Sequence, residues 1–268
     1  MTAAFSAAME AFRRDYGAHR AAEGRGHDGA ELLRLPYLRS GPLARQWAVR
    51  ARTFDSFLRH VLRPTAAIAG RPLRILDLGA GSGWLSCRLA CEGHSCTAID
   101  VRDDAVDGLG AATPLLRKAR FECLVASFDD LPLGADFADL AVFNASLHYA
   151  TDLEAVLAEA ARVVRPGGTI AILDSPFYAR AADGEAMVRE KHATARARFG
   201  DRAGSLLALP FVEYLTRERL NEASAPLGLI WRRRRVRYPL WYELRPLIAR
   251  LRQQRAPSRF DLWTAEAP

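Results

Sequence analysis

The run Ile75-Leu76-Asp77-Leu78-Gly79-Ala80-Gly81-Ser82-Gly83 constrains this chain more than any other stretch of similar length. An apolar segment ends in an acid, and three glycines follow at alternate positions. Trp84 to Cys91 are helix-compatible, so the whole reads as strand, tight turn, helix. Glycine in such a turn admits positive φ and lets a ligand approach the backbone. The helix start then offers unpaired N–H groups. A dinucleotide fingerprint needs G-x-G-x-x-G. Gly79 and Gly81 fit its first two glycines, but Trp84 takes the third place and the glycine comes one residue early, at Gly83. That spacing disfavours a nicotinamide-dependent oxidoreductase.

Further strands follow in order. Ser95 to Asp100 is short and ends in an acid, 23 positions after Asp77. An acid at the tip of a second strand can accept both hydroxyls of a ribose. Phe121 to Ala126 reads as a third strand, followed by Ser127-Phe128-Asp129-Asp130-Leu131-Pro132-Leu133. Ala138 to Asn144 is a fourth, with Ser146-Leu147-His148-Tyr149 just beyond it. Thr151-x-x-Glu154 reads as a capping box opening a helix to about Val164. Arg165-Pro166-Gly167-Gly168 stops that helix, and Thr169 to Leu173 is a fifth strand.

The D-x-G-x-G-x-G run at Asp77–Gly83, this order of strands, and R-V-V-R-P-G-G at Arg162–Gly168 together resemble class I S-adenosylmethionine (SAM)-dependent methyltransferases. Within them the pattern is similar to the ubiquinone-biosynthesis-like, methyltransferase type 11 branch, which acts on small molecules. The resemblance covers residues 70 to 175. It implies an α/β fold: a doubly wound, Rossmann-like, seven-stranded methyltransferase sheet, with the last two strands paired and one of them antiparallel to the rest. It also implies SAM as methyl donor, S-adenosylhomocysteine as product, and no metal. Asp77, Gly79, Ala80, Gly81 and Gly83 would surround the amino acid tail of SAM, and Asp100 and Val101 its ribose. Ser127 stands where the family usually has the acid that faces adenine; Asp129 is the alternative. Phe128 either covers the adenine or belongs to the core. Asn144 would lie near the sulfonium. His148 is the candidate base for an acceptor proton; the competing reading is a pocket wall.

The rest of the chain frames this region. Phe5, Met9, Phe12 and Tyr16 repeat at helical spacing, and Gly24 to Gly29 is a break. Ser40-Gly41-Pro42 starts a second helix whose apolar face is Leu43, Trp47, Ala51, Phe54, Leu58 and Val61. Pro64 and Gly70-Arg71-Pro72 mark a boundary, so residues 1–65 read as a helical N-terminal cap and 66–268 as the SAM-binding domain. Tyr16, Tyr37, Trp47 and Arg50 are the cap residues that would reach SAM or substrate. Arg50 suits the SAM carboxylate, whereas Trp47, on the apolar face, also suits core packing. After strand five an insertion of about 175–210 contains a polar helix ending near Gly200. Phe177, Tyr178 and Tyr149 would line the acceptor side. Thr216 to about Ala225 is helical, Leu229 to Tyr238 a basic strand, Leu240 to Gln254 helical, and Arg259 to Ala265 a final strand. Arg232 to Arg235 read first as a solvated edge and second as an anion track.

Composition narrows the function classes. Half of the 268 residues are hydrophobic, enough for a sizeable core. No run of about 18 apolar residues exists, and Glu10, Arg13 and Arg14 interrupt any secretory core. A cytoplasmic protein without a membrane partner is the default. The net charge is +7, but Lys118 and Lys191 are the only lysines. So many scattered arginines reflect coding bias more than a nucleic-acid footprint. A small molecule is the expected partner, and the chain a monomer or homodimer. The four cysteines, Cys87, Cys91, Cys96 and Cys123, form no C-x-x-C and read as buried reduced thiols. Two alternatives stay open: a non-catalytic SAM-binding regulatory or scaffold protein, motivated by Ser127, and an RNA or protein methyltransferase, motivated by charge.

Overall fold

The computed structural model describes residues 10, 11, 28–200 and 203–268. The helix read from Phe5, Met9, Phe12 and Tyr16, and most of the Gly24–Gly29 break, lie outside the described residues. A short helix, α1 (Gly29–Arg34), is capped by Asp28, whose carboxylate accepts the Glu31 N–H at 2.7 Å. A longer helical run follows as α2 (Ala44–Phe57), a π turn (Leu58–Leu62) and α3 (Arg63–Ala69). Of the two boundary marks read from the sequence, Pro64 lies inside the helical run, which continues to Ala69 and stops at Gly70, whose φ is +63°. A proline ring inside a helix presses on the carbonyl four residues earlier, here that of His60. The widened π turn lies at that place and absorbs the clash.

Seven strands form one sheet in the order β3-β2-β1-β4-β5-β7-β6. They are β1 (Arg74–Leu78), β2 (Ser95–Asp100), β3 (Glu122–Val125), β4 (Ala138–Asn144), β5 (Val164–Leu173), β6 (Arg232–Arg234) and β7 (Leu262–Glu266). The first five run parallel to one another, and β7 runs antiparallel to both β5 and β6. Between the strands lie α4 (Trp84–Cys91), α5 (Thr113–Lys118) and α6 (Leu153–Val163). Beyond β5 come α7 (Ala181–Phe199), α8 (Ala203–Leu207), α9 (Arg217–Ser224), α10 (Leu240–Glu243) and α11 (Arg245–Leu251).

The alternation of side chains along the strands divides the core in two. Ile75, Leu140, Val142 and Ala171 join one layer with Phe54, Phe57 and Leu62 of the N-terminal helical run and Leu85 and Leu89 of α4. Leu76, Ala141, Phe143, Ile170 and Ile172 join the other, with Val156, Leu157 and Ala160 of α6 and Leu220 of α9. Both faces are covered, which is why the parallel strands are near-continuous apolar runs.

Several local expectations need correction. Asp152, not Thr151, caps α6, accepting the Ala155 N–H at 3.1 Å. Arg165–Gly168 lies inside β5, across a register shift between the Ala138–Val164 and Leu140–Thr169 pairs. Gly167, with φ +73°, makes that irregularity possible without ending the strand. The basic strand is only Arg232–Arg234, exposed at the sheet edge. The long C-terminal helix is two short ones, α10 and α11. Cys87 and Cys96 are buried and reduced, but Cys91 and Cys123 are exposed.

Candidate functional site

The strand order reverses between β1 and β4, and in an open α/β sheet ligands bind at the carboxyl ends of the strands there. A cavity of about 510 Å³ lies at this place. Each of the five parallel strands contributes the residues at or just beyond its carboxyl end: Gly79–Gly81 after β1, Asp100 and Val101 at β2, Ser127 and Phe128 after β3, Asn144 and Ala145 at β4, and Asp174 after β5.

The glycine turn is built as its sequence demands. Gly79, Gly81 and Gly83 all have positive φ, at 76°, 56° and 78°. A Cβ on Gly79 would collide with the Ser146 Cβ and come within 3.5 Å of the Phe128 ring. Ser146 is pinned there by its hydroxyl, which donates to the Leu78 carbonyl. The Gly79 and Ala80 N–H groups both donate to the Ile99 carbonyl, at 2.8 and 2.9 Å. The turn is thereby tied to the strand that carries Asp100.

Asp100 closes the same loop. One carboxylate oxygen accepts the Gly81 N–H at 2.7 Å and the other the Arg102 N–H at 2.9 Å. Burial pushes its carboxyl up; the Arg102 guanidinium and the two N–H groups pull it back. Asp77 lies deeper. Its Oδ2 accepts the Ser86 N–H and hydroxyl at 3.2 and 3.0 Å. Its Oδ1 is buried with no partner, an arrangement that proteins rarely leave unexplained. Desolvation pushes this carboxyl up to about 7, against the opposing Ser86 bonds.

Across the cavity, Arg50 of α2 reaches the strand ends. Its Nε donates to Asp174 Oδ2 at 3.3 Å and its Nη2 to Asn144 Oδ1 at 3.4 Å. The guanidinium packs over Trp47 and Trp84, 4.6 and 5.5 Å from the ring centroids. Asp174 is 6% exposed, its Oδ1 is unpartnered, and its φ is +51°. Ala145, on the neighbouring strand, also holds a positive φ of 58°. Two non-glycine residues in this conformation side by side mark a strained rim.

Most residues singled out from the sequence meet here. Gly79, Ala80, Gly81, Asp100, Val101, Ser127, Phe128, Asn144, Arg50, Trp47, His148 and Tyr149 all line the cavity. Asp77 and Gly83 stand behind the loop rather than on the wall. Phe128 serves both readings: it lines the cavity and packs edge-on against Phe143 at 5.9 Å. Trp47 likewise is 4% exposed in the core and touches the cavity. Three residues fall elsewhere, which corrects their placement on the acceptor side. Tyr37 is 43% exposed and donates its hydroxyl to Asp55. Phe177 is stacked on Trp263 at 4.6 Å, and Tyr178 is buried against Tyr214. Both face the packing beside β7 because Phe177 pairs with Arg259 and Leu215 as the chain leaves β5. Tyr16 lies outside the described residues.

Sequence reasoning missed Asp174, Ser146, Phe211 and the C-terminal wall of Trp241, Tyr242, Arg245 and Phe260. Asp174 alone carried a signal: like Asp100, it is an acid at the tip of a parallel strand. The C-terminal residues carry none, since nothing local says that they fold back over the sheet.

A family model described as a methyltransferase domain matches residues 76–172. An uncharacterised methyltransferase of Mycobacterium tuberculosis is 33% identical over 100 residues, covering 37% of this chain and 39% of that protein. A ubiquinone/menaquinone biosynthesis C-methyltransferase of Syntrophotalea carbinolica is 33% identical over 110 residues, covering 40% and 46%. The match thus spans less than half the length of these relatives. Among solved structures, a geranyl diphosphate methyltransferase in complex with GPP and sinefungin superposes with a TM-score of 0.52 at 16% identity, over 74% of this chain and 72% of that one. That likeness is one of fold. The glycine turn, the reversal of strand order at β1 and β4, and the antiparallel β7 lie in or beside the matched stretch: residues 76–172 match a methyltransferase domain.

Proposed function

We propose that this protein transfers a methyl group from SAM to a small-molecule acceptor. The observation that carries this reading is one cavity lined both by the glycine turn with Asp100 and by the aromatic side chains of Tyr149, Phe211, Trp241 and Tyr242. The first set suits a polar cofactor and the second an apolar acceptor body.

The residues present fit the donor. Asp77 stands behind the turn and off the cavity wall, so its carboxylate would act on a ligand ammonium through its charge and an intervening water rather than by direct contact. Glycine at 79 and 81 lets the turn pack closely on Ser146 and Asp107 and so keeps its backbone on the cavity wall for a ligand tail. Asp100 retains lone pairs for ribose hydroxyls, and Val101 and Phe128 flank an adenine, with Ser127 or Asp129 facing its amine. Arg50 and Asn144, hydrogen-bonded to each other on the cavity wall, would face a carboxylate tail. SAM, when bound, supplies a methyl on a sulfonium leaving group. The chain's part is alignment, which provides roughly 7 to 11 kcal/mol in well-positioned reactions. His148, half-buried on the wall, is assigned as the group that accepts a proton from the acceptor, a role worth about 10² to 10⁴ in rate. The base role is separated from wall packing by His148→Ala, which retains cofactor binding and loses transfer if the assignment holds.

Calorimetry with S-adenosylhomocysteine, followed by transfer of labelled methyl to an acceptor panel, tests the proposal. Asp100→Asn is expected to weaken binding by about 10- to 100-fold, because an amide N–H₂ would face the N–H of Gly81 or Arg102 in place of an acceptor. Unchanged affinity in that variant would remove the ribose assignment. Binding without transfer to any acceptor would favour the regulatory alternative.

The raised carboxyl of Asp77 makes binding pH-dependent. Its folded value of about 7 lies above the ordinary 3.8, so the folded protein holds a proton there that the unfolded chain releases. Asp77 therefore contributes stability that is greatest at low pH and declines as pH rises through that window. Ligand binding behaves oppositely, since a cationic tail favours the ionised carboxylate. Affinity for S-adenosylhomocysteine is expected to rise between about pH 5.5 and 7.5, below the tail amine's own pKa. Asp77→Asn should flatten that slope; a slope that persists in the variant refutes the pairing.

A further inference from the structure

Large apolar side chains among the described residues stand exposed at eleven positions, and five of them fall within Leu240–Leu251. The other six are scattered. The five are Leu240, Leu244, Leu247, Ile248 and Leu251, exposed by 73, 40, 55, 42 and 75%. Helices α10 and α11 run nearly into one another through Leu244, whose φ of −79° and ψ of −10° stay helical. The five positions recur at i, i+4, i+7, i+8 and i+11, which places them on one stripe. The opposite face holds the buried Tyr242 and Ala249. A surface helix ordinarily turns its apolar stripe inward. This segment packs one face on the protein and leaves a second apolar stripe in water. A contiguous exposed patch of this kind marks an interaction surface.

The charges around the stripe select the partner. Between Leu240 and Arg255 the only acid is Glu243, against Arg245, Arg250, Arg252 and Arg255. Glu243 is occupied by Arg259 at 2.9 and 3.0 Å and by Arg235 at 3.3 Å. Arg250 and Arg252 are exposed beside the stripe. A second copy of the chain seated on a two-fold axis would bring these arginines toward their own equivalents, which opposes association. An anionic surface attracts them. An apolar stripe flanked by arginines matches the headgroup–acyl boundary of an acidic bilayer.

We infer that the Leu240–Leu251 segment docks this protein reversibly on an anionic lipid surface. This differs from spanning: no helix among the described residues is long and apolar enough to cross a membrane. It revises the sequence-based expectation of no membrane partner. The inner side of the same segment, through Trp241, Tyr242 and Arg245, walls the cavity. Docking would therefore hold this wall of the cavity near the lipid. The inference stands on the exposed stripe and its charges and does not depend on methyl transfer.

Sedimentation of the full chain with vesicles tests it. Vesicles of phosphatidylcholine alone are compared with vesicles containing about one-third phosphatidylglycerol. The protein is expected to bind the anionic vesicles and to be released at high salt, where the Debye length shortens. Leu247→Ser with Leu251→Ser removes two exposed side chains; it should leave the unfolding midpoint unchanged and weaken vesicle binding at least about tenfold. Arg250→Gln with Arg252→Gln should weaken it specifically on anionic vesicles. Absence of binding, or binding that survives the double serine substitution, overturns the inference. So does a concentration-dependent dimer, seen by light scattering, that the serine variant dissolves, because a second copy would then cover the stripe.

Discussion

Gly79→Ala is expected to abolish cofactor binding and to destabilise the fold by about 2 to 4 kcal/mol, the sum of a left-handed backbone penalty and overpacking against a fixed neighbour. The neighbour cannot give way easily. Ser146 lies at the end of β4 and is held by its bond to the Leu78 carbonyl. Relief would require moving the glycine turn, whose Gly79 and Ala80 N–H groups are both tied to Ile99. That shift disturbs the Gly81–Asp100 bond and with it the cavity floor. Gly93→Ala is the control: its φ is +94°, but a Cβ there meets nothing within 4 Å. It should cost only the backbone share, about 1 to 2 kcal/mol, and leave affinity intact. Denaturant unfolding and calorimetry on the two variants separate these outcomes. Equal effects on binding would mean that the Gly79 contact does not shape the site.

Arg50→Ala is expected to cost about 3 kcal/mol of stability. The Arg50 and Asp174 side chains are 13% and 4% exposed. Removing the arginine leaves a carboxylate deep in the protein with its main cation gone. Breaking such a pair from one side costs far more than the pair contributes. Burial already pushes the Asp174 carboxyl up, and Arg50 is the largest influence holding it down. Without Arg50 it rises further, so the deficit should shrink as pH falls and Asp174 takes up a proton. Arg50→Ala combined with Asp174→Asn should recover much of the loss, a coupling of about 1 to 3 kcal/mol. A double variant no more stable than Arg50→Ala would show that Arg50 acts through packing on Trp47 and Trp84 instead.

What was legible in advance follows the range of the interactions. β2, β4 and α4 have the bounds read from the chain, since each is a largely apolar run closed by a polar residue: Asp100, Asn144, and Glu92 before Gly93. The glycine turn, Asp100 and Asn144 could be brought together on paper because parallel strands deliver their carboxyl ends to one edge. Where reading failed, a distant contact decided. Pro64 is a sound local signal for a helix end, yet packing of Phe57 and Leu62 against the sheet keeps the helix running through a π turn. Phe177 and Tyr178 looked well placed after β5, but pairing with Arg259 turned them into the packing beside β7.

The amino-acid pattern alone determined the succession of strands along the chain and the glycine cradle, because each depends on propensities and φ requirements carried by neighbouring residues. Only the folded protein decided what closes the cavity. Arg50, Asp174 and the Trp241–Phe260 wall meet across separations of up to 210 residues (260 − 50), and no local preference encodes such a meeting. It arises from burying both faces of a single sheet, which draws the N-terminal helices and the C-terminal segment over the same strand ends.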